Sequence, residues 1–155
     1  MLSQKAKYAL RALLALAEAG DDQALMISDI AERHNLPKKF LEQILLDLKH
    51  HGLVQSRRGR HGGYGLLKPA DEISFGQVVR IIDGPLAPLP CLSKMAYRRC
   101  QDCPGEASCA IRRVFARTHQ LTSDVLDRMT LAEALAGARQ DAPVRLAVGD
   151  RQEVA

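Results

Sequence analysis

"MISDIAERHNLPKKFLEQILLDLKHHGLVQSRRGRHGGYGLLKP", residues 26–69, holds two helical periods, a break between them and a basic hairpin. Ser28 is placed to cap a short helix containing Ile30 and Ala31. Asn35 and Leu36 read as a turn, and Pro37 opens a second helix at the first-turn position that proline tolerates. This is a helix-turn-helix pattern. In the second helix Leu41, Ile44, Leu45 and Leu48 recur at helical spacing and mark the inward face. Lys38, Lys39, Glu42 and Gln43 are left outside near the N-terminus, where the second helix of such a motif meets base edges and phosphates. Lys49, His50 and His51 finish the helix and Gly52 ends it.

Residues 53–56 and 64–68 then read as two short strands around the turn "RRGRHGG". Arg57, Arg58, Arg60 and His61 crowd that tip, where like charges repel unless a phosphate or the minor groove neutralises them. The tip glycines supply the backbone freedom a tight turn needs. Helix, turn, helix and basic wing in this order imply binding to double-stranded DNA; a winged helix that docks a protein is the alternative.

Outward from this core, Ser3 can cap a helix running to about Ala19, with Leu10, Leu13, Leu14 and Ala17 on one face and Gly20 closing it. Lys5 and Lys7 fall in its first turn, where the helix dipole disfavours cations by roughly a few tenths of a kcal/mol. A nearby phosphate would account for them, as would simple solvation, and Lys5 joins the DNA-contact candidates. Ser74 and Gln77 form a capping box for a helix through about Asp83. From about Ala110 a long helix carries Ile111, Val114, Phe115, Thr118, Leu121, Val125 and Met129 as its less polar stripe. A winged-helix domain already closed by three helices cannot bury that stripe. The same helix of a second subunit can, and a homodimer would set two wings on a palindromic operator. Thr130 and Glu133 cap one more short helix.

The expected fold is mainly α with a small β-wing: a winged helix-turn-helix plus a long C-terminal dimerisation helix. Its divisions are a DNA-binding region (1–70), a connecting helix and Pro-rich linker (71–90), a cysteine-rich loop (91–109), the dimerisation helix with the short helix after it (110–136), and a tail (137–155) without clear period, expected to be loose. At 155 residues with 46% hydrophobic content the chain can build a real core without disulfides. No opening stretch reads as a signal peptide, and no apolar run approaches the roughly 20 residues of a membrane span. A cytoplasmic location is therefore expected, with no membrane partner. The net charge is +4; residues 1–70 hold 11 Lys and Arg against 7 Asp and Glu, and residues 71–155 hold 11 of each, which places an anion-binding module beside a neutral one.

All four cysteines, Cys91, Cys100, Cys103 and Cys109, lie within "CLSKMAYRRCQDCPGEASC", residues 91–109. Thiols in a reducing compartment point to metal or redox chemistry more than to structural disulfides. Four thiolates suit tetrahedral zinc or the irons of an iron-sulfur cluster, with a thiol-disulfide switch behind them. A cysteine-based redox enzyme would need a partner base. His50, His51 and His61 belong to the DNA-facing half, and His119 on the long helix has no obvious partner and reads as surface or dimer-seam packing. No enzymatic activity is expected.

"KYALRALLALA", "IAERHNLPKKFLEQIL", "GLVQSRRGRHGGYGL" and "ISFGQVVRIIDGPLAP", with cysteines just after, resemble the Rrf-two family of winged-helix transcriptional regulators through about residue 135. The resemblance implies that the residues matching Lys39, Glu42 and Gln43 work near bases and that the arginine matching Arg58 works in the wing. It also implies an iron-sulfur cluster, 2Fe-2S or 4Fe-4S, sensing iron, redox state or nitric oxide and held by three cysteines, best matched by Cys91, Cys103 and Cys109. The fourth ligands of some relatives are replaced here: a histidine by Arg112, and an aspartate from the first helix of the other subunit by Lys7. Cys100 then stands as the substitute ligand, as a spare thiol that resolves an oxidised neighbour, or in place of Cys103 as one of three. A structural zinc at the same cysteines is the less favoured cofactor.

Overall fold

The structure, a computed structural model, describes residues 2–20, 23–59, 62–103 and 105–138. Among them are six α-helices and one antiparallel hairpin: α1 (Gln4–Ala19), α2 (Ile27–His34), α3 (Lys38–His50), β1 (Val54–Arg57), β2 (Gly63–Leu66), α4 (Phe75–Asp83), α5 (Ala110–Arg128) and α6 (Leu131–Ala138). The mainly helical fold with a small wing is the expected one.

Ser3 caps α1 by accepting from the Ala6 N–H at 3.0 Å, and Gly20, at φ +89°, ends it. The buried face of α1 is wider than the leucine stripe: Ala6, Ala9, Leu10, Ala12, Leu13, Ala15 and Leu16 are all buried, whereas Leu14 and Ala17 are only partly so. The cause is position. Helices α2, α3, α4 and α6 and strand β2 all pack around α1, and its alanines let several backbones approach at once.

Helix α2 starts at Ile27 with Met26 in the N-cap position, so Ser28 is not its cap; the Ser28 hydroxyl instead faces the Asp29 carboxylate at 3.4 Å. The preceding residue explains the shift. Leu25 exchanges backbone bonds with Tyr64 in β2 (2.9 and 2.8 Å), which holds the chain extended up to Met26 and lets the helix begin directly after it. Asn35 makes the turn in left-handed geometry (φ 51°), and Leu36 dips into the core. Leu41, Ile44, Leu45 and Leu48 are the buried face of α3, as their spacing predicts. Strands β1 and β2 pair Val54 with Leu66 and Arg57 with Gly63.

Ser74 caps α4 through the Gln77 N–H (3.2 Å), and Thr130 and Glu133 cap α6 reciprocally, each side chain accepting from the other's N–H at 3.1 and 3.0 Å. These two caps meet: Phe75 donates to Met129 O (2.9 Å) and Leu131 to Ile73 O (3.0 Å). Beside them Arg80 grips Asp127 with two parallel bonds, 2.6 and 2.8 Å. A β-carbon on Gly76 would lie 2.0 Å from Asp127 Oδ1, so the bare backbone at Gly76 makes room for that carboxylate. The C-terminal end of α5 is thus pinned to α4.

The rest of α5 buries no residue. Ile111, Val114, Leu121 and Val125 are each at least 60% exposed. At about 100° per residue this stripe lies roughly 200° around the helix from Ala116, His119, Ser123 and Asp127, which face α4 and the linker. His119 is therefore not on the apolar seam; it is half-buried in the cleft, with Nδ1 3.3 Å from the Ser123 hydroxyl. Among the described residues no helix is long and apolar enough to cross a membrane. Most of the 137–155 tail lies outside the described residues; α6 itself continues through Ala138.

Candidate nucleic-acid interface and cysteine loop

Burial of Leu41, Ile44, Leu45 and Leu48 turns Lys38, Lys39, Glu42 and Gln43 to solvent as one row on the first two turns of α3. No acidic residue sits in the first turn of α3 and no side chain caps it, so its leading N–H groups and two lysines make a positive end. An open groove of about 400 Å³ joins this row to the start of α2 and to the wing, lined among others by Ser28, Lys38, Glu42, Ser56 and Arg57. Arg58 is exposed at the tip. Arg60 and His61 lie outside the described residues. Lys49 donates to the Ser56 hydroxyl at 2.8 Å and ties α3 to β1, so the two basic elements move together.

Lys5 and Gln43 are engaged within the protein. Lys5 Nζ lies 2.7 Å from Asp47 Oδ2, which braces α1 against α3, and Gln43 donates to Asp47 Oδ1 at 3.1 Å. The Lys5 hydrogen bond, helped by Gln43 and by the Lys5 and His50 charges, holds the Asp47 carboxyl below its usual range against some desolvation. Lys5 thus has a partner without a phosphate, and Gln43 must leave Asp47 to read a base. Ser28 and Ser56 on the groove are absent from the sequence-based set; two isolated serines carry no signal until the folding of the wing brings them together.

The cysteine loop leaves α4 through the Pro-rich linker. Cys91 is buried in a 3-10 turn, Pro90–Leu92; Cys100 is exposed, Cys103 and Cys109 are half-buried, and all four are free thiols. Cys100 lies beside two of the others. Local desolvation first, then the Cys91 and Cys103 thiols and a hydrogen bond to Cys91, push its thiol above the usual range. Cys109 is the N-cap of α5, its Sγ accepting from the Arg112 N–H at 3.4 Å. Tyr97 donates to Glu106, and Glu106 lies 3.5 Å from Arg112 Nε, an otherwise unpartnered buried atom. This chain of contacts runs from the loop into the first turn of α5. Four thiols are the right donor chemistry for a thiophilic metal or cluster. Their placement is not: among the described residues no three His, Cys, Asp or Glu side chains stand together closely enough to hold a metal ion.

The charge of this segment exceeds what halving the chain suggests. Residues 91–117 hold six Lys and Arg against two Asp and Glu.

Comparison with known proteins bears on both sites. The family model described as "Rrf2: Iron-dependent Transcriptional regulator" matches residues 2–137. An HTH-type transcriptional regulator of Rhodobacter capsulatus, rrf2-like, is 55% identical over 139 residues, covering 88% of this chain and 93% of its own. Among solved structures, CymR, the global cysteine regulator of B. subtilis, superposes with a TM-score of 0.74 at 29% identity, covering 88% of this chain and 97% of its own. T. potens IscR does so with 0.69 at 27%, covering 96% and 93%. The family and these relatives are transcriptional regulators rather than enzymes. On a family match spanning both the winged helix and the cysteine loop, the chain belongs to the Rrf2 family of DNA-binding transcriptional regulators.

Proposed function

We propose that the protein acts as a homodimer on a two-fold DNA operator, reading it with α3 and the wing under the control of the 91–109 loop. The observation that carries this reading is the single groove bringing Lys38, Glu42 and Arg57 together beside the exposed Lys39. In it Lys38, Lys39, Arg57 and Arg58 meet phosphates, with Arg60 and His61 completing the wing. Glu42 accepts from a cytosine amino group, and Gln43 pairs with adenine once it swings off Asp47. Lys5 acts from behind, fixing the angle of α3. Lys39→Ala and Arg58→Ala should each weaken operator binding and lower the slope of log K against log salt by about 1, as loss of one phosphate contact does. Fluorescence anisotropy at several salt concentrations measures this, and an unchanged slope would remove that residue from the interface.

The loop controls the dimer through the Tyr97–Glu106–Arg112 contacts and the seating of Cys109 at the head of α5. The four-thiol donor set and the iron dependence named for the family favour an iron-sulfur cluster as the occupant, and the loop would have to draw its thiols together to hold one, since among the described residues they do not stand grouped for a metal. The influence of the Cys91 and Cys103 thiols on Cys100 favours a second reading, control by the thiols themselves. Purification without oxygen, followed by iron, sulfide and zinc analysis and a visible spectrum, separates the two. Iron and sulfide in equal amounts with a brown colour select the cluster. A colourless, metal-free protein whose operator affinity falls on oxidation and returns on reduction selects the thiols, and one zinc per chain with affinity indifferent to oxidants sinks both.

A further inference from the structure

We propose that Cys100 is a site of mixed-disulfide formation with an anionic, amino-acid-derived thiol of low molecular weight. Its chemistry stands on the local geometry; its regulatory meaning rests on the reading of residues 91–109 as the sensor loop. Residues 94–102, "KMAYRRCQD", are exposed one after another. An open cavity of about 440 Å³, within the size range of small-molecule sites, is lined by Pro90, Arg98, Arg99, Cys100, Gln101 and Asp102. The Arg98 guanidinium has no protein partner among the described residues, and Arg99 spends one N–H on the Cys103 carbonyl at 3.2 Å. Two guanidinium forks beside a thiol fit a ligand that bears carboxylates next to its sulfur. Asp102 on the same rim leaves a place for one ammonium. The surrounding segment concentrates cations: Lys94, Arg112, Arg113 and Arg117 join the two arginines, against Asp102 and Glu106 alone. An anionic disulfide is drawn to this surface before any chemistry occurs.

The reaction is a thiol-disulfide exchange. Cys100 gives its proton to solvent and the thiolate attacks one sulfur of the symmetrical disulfide R–S–S–R. That S–S bond breaks, a Cys100–S–S–R bond forms, and the leaving R–S⁻ takes up a proton. The Cys100 sulfur is oxidised and the released thiol is the reduced product.

The test uses the full chain, reduced and stripped of metal by chelation, with three disulfides: glutathione disulfide (anionic), bis(2-hydroxyethyl) disulfide (neutral) and cystamine (cationic). Intact mass and peptide mapping follow each adduct, with rates normalised to a free model thiol. The expected result is a first adduct at Cys100, forming about tenfold faster with the anionic probe than with the neutral one and slowest with the cationic one. Arg98→Ala with Arg99→Ala should erase the preference while Cys100 still reacts. Equal normalised rates across the probes, or a first adduct at Cys91, Cys103 or Cys109, overturn the proposal, and the probe series on the unsubstituted chain decides it whether or not the double variant folds. A Cys100 adduct formed with the anionic preference supports the site even where operator affinity stays constant; in that case it is the sensor-loop reading that falls.

Discussion

Leu121→Glu should leave the protein folded and, if α5 forms the proposed dimer, make it a monomer, with operator affinity lowered by two orders of magnitude or more. Leu121 is 60% exposed on a stripe that includes Ile111, Val114 and Val125, on the face of α5 turned away from α4. Their spacing of three, seven and four residues is that of a helix-helix seam. Burying a leucine contributes about 1.5–3 kcal/mol, and a two-fold axis counts it twice, so one substitution removes roughly 3–6 kcal/mol of association. At about 1.4 kcal/mol per tenfold, that is two to four decades in the dimer constant. Since Leu121 has little to lose inside its own subunit, the thermal transition of the monomer should survive. Gln120→Ala, also exposed on α5 but on the side turned towards the linker, should stay dimeric. Sedimentation of both variants checks this, and a dimeric Leu121→Glu protein would place the interface elsewhere.

Gly63→Ala should cost about 2–3 kcal/mol and lower Tm by roughly 5–10 °C. A β-carbon there would stand 2.3 Å from Leu25 O and 2.6 Å from Leu25 C, and Gly63 sits at φ +154°. These are backbone atoms, held by the paired Leu25–Tyr64 bonds, so no side chain can rotate aside. The strand must retreat, and the wing loses its anchor to the start of α2. Operator affinity should drop more than tenfold while the α5 dimer stays intact. Gly59→Ala is the contrast: at φ +110° with nothing within 4 Å of the added carbon, it carries conformational strain alone, about 1 kcal/mol. Equal melting temperatures for the two variants would refute the close-approach argument.

These contrasts also show what the sequence could convey. The helix-turn-helix, the wing and the caps at Ser3, Ser74 and Thr130 are legible because each is written within a few residues by periodicity or capping chemistry. Ser28 misleads for the same reason. It has cap chemistry in a cap-like place, but Leu25, bound to a residue 39 positions away, decides where the helix begins. The Lys5–Asp47 pair and the Arg80–Asp127 grip, spanning 42 and 47 residues, leave no local signature. For the cysteine loop the donor chemistry is readable and the arrangement is not, because proximity of thiols in a segment without regular elements depends on tertiary contacts. The basic character of that loop was readable, but only by counting charge over 91–117 rather than over the whole half.

The pinned C-terminus of α5 has a mechanical meaning. Nineteen residues make a boom about 28 Å long, hinged where the Arg80–Asp127 grip and the joined caps fasten it to the reading head. Its far tip begins at Cys109. A sideways displacement of about 1 Å at the tip swings such a boom by about 2°, and in the proposed dimer its two-fold mate would swing the opposite way. In the proposed dimer a slight rearrangement among thiols would thereby be geared into a change of angle between the two heads, without any part of the winged helix having to unfold.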